Sequence, residues 1–207
     1  MSLKQKLKGL YVISDDTLTP DETLFSQIEQ ALLGGTSIVQ LRDKKNSDDV
    51  MIEKIKKLQK LCKEYDALFV LNDKIDLAIE LECDGLHIGK SDHDRFDETR
   101  KNYKGIIGVS CYGDVAMAKD FQDRGADYVA FGSFFTSPTK PNSNIIALEV
   151  LKDAKIQLSI PVCAIGGINT KNVDDIVQFK PDMISVINDI WTASDITSQA
   201  SLYANQF

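Results

Sequence analysis

The stretch Leu68-Phe69-Val70-Leu71-Asn72-Asp73, followed by Gly85-Leu86-His87-Ile88-Gly89 and then Asp92, sets an acidic residue just beyond each of two short apolar runs. If the runs are neighbouring parallel strands, about 4.8 Å apart, both carboxylates emerge at one rim and can share a hard cation. The same arrangement recurs elsewhere. Gln40-Leu41-Arg42-Asp43-Lys44, Ser110, Ser137-Pro138-Thr139-Lys140 and Gly166-Gly167 each follow an apolar run with polar or glycine-rich chemistry. A fold that gathers functional groups at the C-terminal ends of parallel strands accounts for all of them at once.

The alternation runs the length of the chain. Leu10–Ile13, Ser37–Leu41, Leu68–Leu71, Gly85–Ile88, Gly105–Val109, Tyr128–Gly132, Ile160–Ile165 and Met183–Ile187 read as strands. The stretches between them have helical spacing: Met51, Ile55, Leu58 and Cys62 form one apolar stripe among lysines and glutamates. Thr19-Pro20-Asp21-Glu22 has the composition of a capping box, and Asn169 or Thr170 can cap a helix beginning at Lys171. Gly34-Gly35, Gly125 and Lys180-Pro181 close the helices before them. Eight strands, each followed by a helix, is the arithmetic of an α/β protein with a closed (β/α)8 barrel, the TIM barrel. A doubly wound open sheet is the alternative, but it seldom sustains eight uninterrupted units. No low-complexity linker or composition break divides the chain, so residues 1–207 read as a single compact domain.

The chain is 43% hydrophobic and 27% charged, an ordinary soluble composition. A formal charge of −7 and a pI near 4.9 disfavour nucleic acid or an anionic membrane as a partner. Any phosphate-bearing ligand must therefore be held by local cations against an adverse overall field. Cys62, Cys83, Cys111 and Cys163 include no C-x-x-C pair, and the chain has 2 histidines, so neither a zinc site nor a disulfide framework is expected. Small buried thiols in a reducing cytosol are the plain reading. No apolar run is long enough to span a bilayer, and residues 1–8 are too polar for a signal peptide, so a cytoplasmic protein is expected. Assembly into a homo-oligomer is left open.

Each motif has a plainer alternative. In a barrel Gln40, Arg42 and Lys44 point one way and Leu41 the other; inward charge at a strand end is costly unless it meets an anion, whereas a surface ion-pair patch needs no ligand. Asp73 and Asp92 can each cap the helix that follows. On adjacent strands, with lysine and arginine across the mouth, they also fit a Mg²⁺ site completed by substrate phosphate oxygens. The loop Ser137-Pro138-Thr139-Lys140 suits phosphate, although proline-rich loops are common on surfaces. Gly166-Gly167, read as opening a helix after the seventh strand, bares backbone N–H groups where such barrels usually hold phosphate. His87 reads as a hydrogen-bonded core histidine, His93 as solvent-exposed and Trp191 as a packing residue. No Ser-His-Asp or Cys-His set supports nucleophilic catalysis.

Taken in order, Leu10-Tyr11-Val12-Ile13-Ser14-Asp15, Gln40-Leu41-Arg42-Asp43-Lys44, Asn72-Asp73, Asp84-Gly85-Leu86-His87-Ile88-Gly89, Gly108-Val109-Ser110, Phe131-Gly132 with Ser137-Pro138-Thr139-Lys140, and Ala164-Ile165-Gly166-Gly167-Ile168 resemble the thiamine-phosphate synthase family. The likeness spans about residues 9 to 190. It implies that a hydroxymethylpyrimidine diphosphate loses pyrophosphate and that the nitrogen of a phosphoethyl-methylthiazole attacks the resulting carbon. By matching positions it implies Asp73 and Asp92 as Mg²⁺ ligands. It sets Gln40, Leu41, Arg42, Asp43, Lys44, Asn72, Ser110 and Lys140 around the pyrimidine diphosphate. Ser137, Pro138, Thr139, Gly166, Gly167 and the backbone at Ile187-Asn188 fall around the thiazole phosphate. Arg42, Lys44, Ser110 and Lys140 are the implied catalytic set. Lys90-Ser91, Asn188 and Cys111-Tyr112 depart from the family's usual residues. A related branch of thiazole tautomerases or regulators tends to lack the second aspartate and to use a histidine shortly after the Ser110 position; this chain keeps Asp92 and has no histidine there. A barrel that only binds thiamine precursors or phosphates is the remaining alternative.

Overall fold

The computed structural model describes residues 2–138 and 142–207. Parallel strands β1 (Gly9–Ile13), β2 (Ile38–Leu41), β3 (Leu68–Asn72), β4 (Gly85–Ile88), β5 (Ile106–Tyr112), β6 (Tyr128–Phe131), β7 (Val162–Ile165) and β8 (Met183–Val186) form a closed barrel in sequence order. Closure is explicit in the register, with Gly9, Leu10, Tyr11 and Val12 of β1 opposite Met183, Ile184, Ser185 and Val186 of β8. The open doubly wound sheet is therefore excluded. Helices α1 (Leu24–Leu33), α2 (Asp48–Glu64), α3 (Ile75–Glu80), α4 (Phe96–Asn102), α5 (Val115–Asp123), α6 (Glu149–Gln157), α7 (Val173–Val177), α8 (Asn188–Trp191) and α9 (Ile196–Ala204) follow the strands in turn.

Side-chain alternation divides the apolar residues into two cores. Tyr11, Ile38, Leu68, Val70, Ile106, Tyr128, Cys163 and Met183 point inward and meet inside the barrel, with Leu7 from the preceding turn packed among them. Leu10, Val12, Val39, Leu41, Phe69, Leu71, Leu86, Val109 and Phe131 point outward and pack under the helices, where they meet the expected α2 stripe of Met51, Ile55, Leu58 and Cys62. The interior is tight enough to need a glycine on β5. A Cβ on Gly108 would lie 1.9 Å from Cζ of Tyr128, so the tyrosine ring occupies the space that Gly108 leaves.

Three aspartates tie the base of the barrel. Asp84, Asp127 and Asp182 immediately precede β4, β6 and β8, and their carboxylates accept from the backbone N–H of Phe69 (3.2 Å), Ile107 (2.8 Å) and Val162 (2.8 Å). Each thus laces the start of an even strand to the odd strand before it. Asp127 also pairs with Arg100 at 2.9 Å and Lys4 at 2.7 Å, and Asp182 with Lys155 at 2.7 Å.

Several local expectations need correction. Thr19 does not cap a helix: its hydroxyl accepts from the Asp15 backbone N–H and donates to the Asp15 carbonyl, and α1 begins only at Leu24. The helix expected from Lys171 begins at Val173, because Asn169 and Asn172 close a turn on each other first. β5 runs on to Tyr112 through a bulge, with Ser110 opposite Ala130 and Tyr112 opposite Phe131. His93 is half-buried rather than exposed, its ring 4.8 Å from that of Phe121.

Candidate active site

A cavity of about 980 Å³ opens at the C-terminal end of the barrel. Gln40 and Arg42 from the end of β2, Asn72 from β3, His87 from β4 and Ser110 from β5 form one side of its lining. Ser137 and Pro138 from the loop after β6, Ile165, Gly166 and Gly167 at the end of β7, and Ser185, Ile187 and Asn188 around the end of β8 form the other. Strand-end residues scattered through the sequence thus converge on one space, as parallel strands with one common rim require. Thr139 and Lys140 lie outside the described residues.

Within Gln40–Lys44 the structure separates the wall from its support. Gln40 and Arg42 face the cavity, whereas Leu41 is buried between barrel and helices and Asp43 turns away from the cavity. Asp43 accepts from the Lys54 ammonium at 2.7 Å, from the Asn46 side chain at 2.8 Å and from the backbone N–H groups of Lys45 and Asn46 at 3.0 Å. Burial alone would push its pKa up; these hydrogen bonds, Lys54's foremost, outweigh burial and bring it down to about 2. Lys54 also pairs with Asp21 at 2.5 Å. On the other side, the Ser14 hydroxyl accepts from the Arg42 N–H at 2.8 Å and donates to the Arg42 carbonyl at 3.1 Å. The Arg42 backbone is thus held from both sides. Lys44 stands exposed at the mouth, its ammonium 4.0 Å from Asp73.

Asp73 and Asp92 meet at one residue. The Gly89 N–H donates to Asp73 Oδ1 at 3.1 Å, and the Gly89 carbonyl accepts from the Asp92 N–H at 3.1 Å. Neither aspartate caps a helix in the expected way. Asp73 has φ +60° and stands outside α3, whose N-cap is Lys74, and Asp92 lies within the 3₁₀ turn Lys90–Arg95. Both carboxylates flank the cavity beside Asn72 and Lys90 rather than forming its wall. A Cβ on Gly89 would stand 3.2 Å from Asp73 Oδ1, so glycine keeps that side of the carboxylate clear. No cluster of three metal-binding side chains occurs among the described residues. Two carboxylates with the remaining positions left to phosphate oxygens and water is a donor set that suits Mg²⁺.

At the opposite wall Gly166 and Gly167 have φ of +106° and +67°, conformations that side chains resist. The loop after β6 lies directly on them: a Cβ on Gly167 would be 2.4 Å from the Thr136 carbonyl oxygen, and the Phe135 N–H donates to the Gly166 carbonyl at 3.0 Å. The glycines open a turn held by Asn172, whose side chain donates to the Gly167 carbonyl at 3.0 Å, and not a helix as expected. Trp191 is buried and its indole N–H donates to the Ile13 carbonyl at 2.7 Å, fixing α8 behind Asn188.

Sequence reasoning missed two tyrosines beneath the cavity. Gln40 Nε2 donates to Tyr11 Oη at 2.6 Å, and Tyr11 Oη lies 2.9 Å from Tyr128 Oη. Tyr128 Oη lies 2.9 Å from His87 Nδ1, and His87 Nε2 lies 2.8 Å from Ser110 Oγ. His87 is the hydrogen-bonded histidine expected, but it also reaches the cavity. The signal was present: inward alternation in β1 and β6 places both rings inside, and Gly108 marks the space for one.

The residues from 10 to 190 match the family model described as thiamine monophosphate synthase. The chain belongs to that family. Members similar to it include the thiamine-phosphate synthases of Wolinella succinogenes, 43% identical over 90% of this chain and 87% of the relative, and of Thermoplasma acidophilum, 39% identical over 92% and 88%. Among solved structures, the thiamine phosphate pyrophosphorylase from Pyrococcus furiosus superposes with a TM-score of 0.86 at 34% identity, covering 99% of this chain and 96% of that one. Membership of the thiamine monophosphate synthase family makes this barrel a transferase of thiamine biosynthesis.

Proposed function

We propose that the chain condenses 4-amino-2-methyl-5-hydroxymethylpyrimidine diphosphate with 4-methyl-5-(2-phosphoethyl)thiazole, giving thiamine phosphate and pyrophosphate. The observation that carries this is the two-sided cavity: Gln40, Arg42, Asn72 and Ser110 line one side, and Ser137, Gly166, Gly167 and Asn188 the other. One side offers a cation and amide groups to a diphosphate and a polar heterocycle; the other offers glycine backbone and a hydroxyl to a second phosphate.

The reaction asks for charge stabilisation rather than proton abstraction. The carbon–oxygen bond to the diphosphate breaks, its electron pair leaves with pyrophosphate, and the aminopyrimidine ring delocalises the positive charge left behind. The thiazole nitrogen then supplies a lone pair to form the carbon–nitrogen bond. Arg42, with its backbone held by Ser14, presents a planar cation to the leaving group. Lys44 adds charge at the mouth, and Ser110 offers a hydroxyl. Lys140, expected in the same role, lies outside the described residues. Leu41 and Asp43, outside the cavity lining, support the β2 end. A Mg²⁺ ion held by Asp73 and Asp92 would neutralise charge growing on the pyrophosphate.

The expected occupants are small phosphorylated molecules in a cytoplasmic setting. No helix among the described residues is long and apolar enough to cross a membrane, and the four buried free cysteines suit a reducing compartment. The test is direct. Purified protein given both substrates and Mg²⁺ should release pyrophosphate and form thiamine phosphate, and chelation should stop both. Binding of both substrates without pyrophosphate release would overturn the assignment in favour of a silent barrel. Isomerisation of the thiazole alone, independent of metal, would favour the tautomerase branch.

A further inference from the structure

The hydrogen-bond line beneath the cavity starts and finishes at residues that face it, and its middle is sealed. Tyr11 and Tyr128 are 2% and 0% exposed. Its length, from β2 across the interior to β5, has no evident use in holding the barrel closed, since the strand register already does that.

Counting protons gives the line a direction. Burial, the largest influence on each phenol, raises both pKa values well above the ordinary value, so each ring keeps one proton to donate. Tyr11 accepts from Gln40 and has its own proton for Tyr128. Tyr128 then has its proton for His87 Nδ1. An imidazole that accepts at Nδ1 carries its hydrogen on Nε2, directed at Ser110 Oγ. Ser110, having accepted there, retains its hydroxyl hydrogen for the cavity. In the opposite polarity His87 donates from Nδ1 to Tyr128, so either the Gln40 amide oxygen turns to Tyr11 or one buried phenol hydrogen is left without an acceptor, and Ser110, donating to Nε2, can only accept from a ligand.

We propose that Tyr11, Tyr128 and His87 are positioning residues that set the Ser110 hydroxyl as a hydrogen-bond donor towards a phosphate oxygen of the bound diphosphate. A donor oriented before substrate arrives needs no reorientation as negative charge grows on the leaving group. Gly108 belongs to the same device, because only glycine there admits the Tyr128 ring. The effect on turnover rests on the proposed transfer reaction; the proton position does not.

The deciding measurement is the ¹⁵N NMR spectrum of the His87 ring in the whole protein, which separates the two neutral tautomers. In the wild type the hydrogen should be on Nε2. Tyr128→Phe keeps the ring and removes the hydroxyl, and should leave a mixture of tautomers. Its kcat should fall about 10- to 100-fold, in the range typical for loss of an orienting partner, with the KM of the thiazole phosphate little changed. Tyr11→Phe leaves the Tyr128 proton in place, so it should keep the Nε2–H form and lose less turnover. Hydrogen on Nδ1 in the wild type overturns the proposal, whether or not Tyr128→Phe folds and whether or not the transfer reaction is found. So does a Tyr128→Phe protein with unchanged tautomer and turnover.

Discussion

At the N-terminal rim, Asp84, Asp127 and Asp182 stand just before even-numbered strands and accept from the backbone of the strand alongside. At the C-terminal rim, Asp73 and Asp92 stand just after strands β3 and β4, and among the described residues the nearest cations, Lys44 and Arg95, are 4.0 and 3.9 Å away. The side chain is the same and the direction of the strand differs. At the base, cations close at 2.7 to 2.9 Å on Asp127, whose side chain is 3% exposed. At the mouth, the Asp73 and Asp92 side chains are 29% and 20% exposed, with room beside them. Asp127, tied on every side, holds strands together; Asp73 and Asp92, with their cations standing off, have room for a ligand.

The largest expected effect is at the base. Asp127→Ala leaves the Arg100 guanidinium without its carboxylate and the buried Ile107 N–H without its acceptor. Loss of one partner of a buried pair costs about 3–5 kcal/mol, so urea unfolding should shift by that amount while activity per folded molecule stays near wild type. Retained stability would break the contrast between the rims. Asp92→Ala is the mirror case. Unfolding should be nearly unchanged, and turnover should fall by about 3 kcal/mol of barrier, the scale of one lost electrostatic contact. A variant with undiminished rate would overturn the proposed role of Asp92 as a Mg²⁺ ligand.

The smallest effect concerns Asp43, an upper-rim aspartate used in the lower-rim manner. Its pKa is about 2 when folded against the ordinary 3.8, so its contribution is present above pH 4 and is lost as pH falls towards 2. Lys54→Met removes its main cation. Stability measured by urea unfolding near pH 6 should drop by about 2 kcal/mol, and the loss on acidification between pH 4 and 2 should become shallower. An identical acid limb in both proteins would mean that Lys54 does not govern Asp43.

Much of this was legible in the chain. All eight strands lie where the apolar runs put them, to within a few residues, because inward and outward positions are apolar alike in a barrel covered by helices. Boundaries were less legible. Thr19 has the right chemistry for a helix cap, yet a backbone only four residues upstream takes its hydroxyl. Gly166-Gly167 marked a place where backbone must come close, but not that the loop after β6 would be what lies against it.

By itself the sequence determined the order of strands, the rim at which the functional groups appear and the family, since all three follow from local period and from motifs read in order. Only the tertiary structure decided what anchors Gln40-Leu41-Arg42-Asp43-Lys44 at the cavity, because Asp43 closes on Lys54 and the Arg42 backbone on Ser14, partners distant in the chain. The line from Gln40 through Tyr11, Tyr128 and His87 to Ser110 likewise joins five strands. Closing the barrel brings their inward side chains within hydrogen-bond reach, a relation that no spacing along one strand encodes.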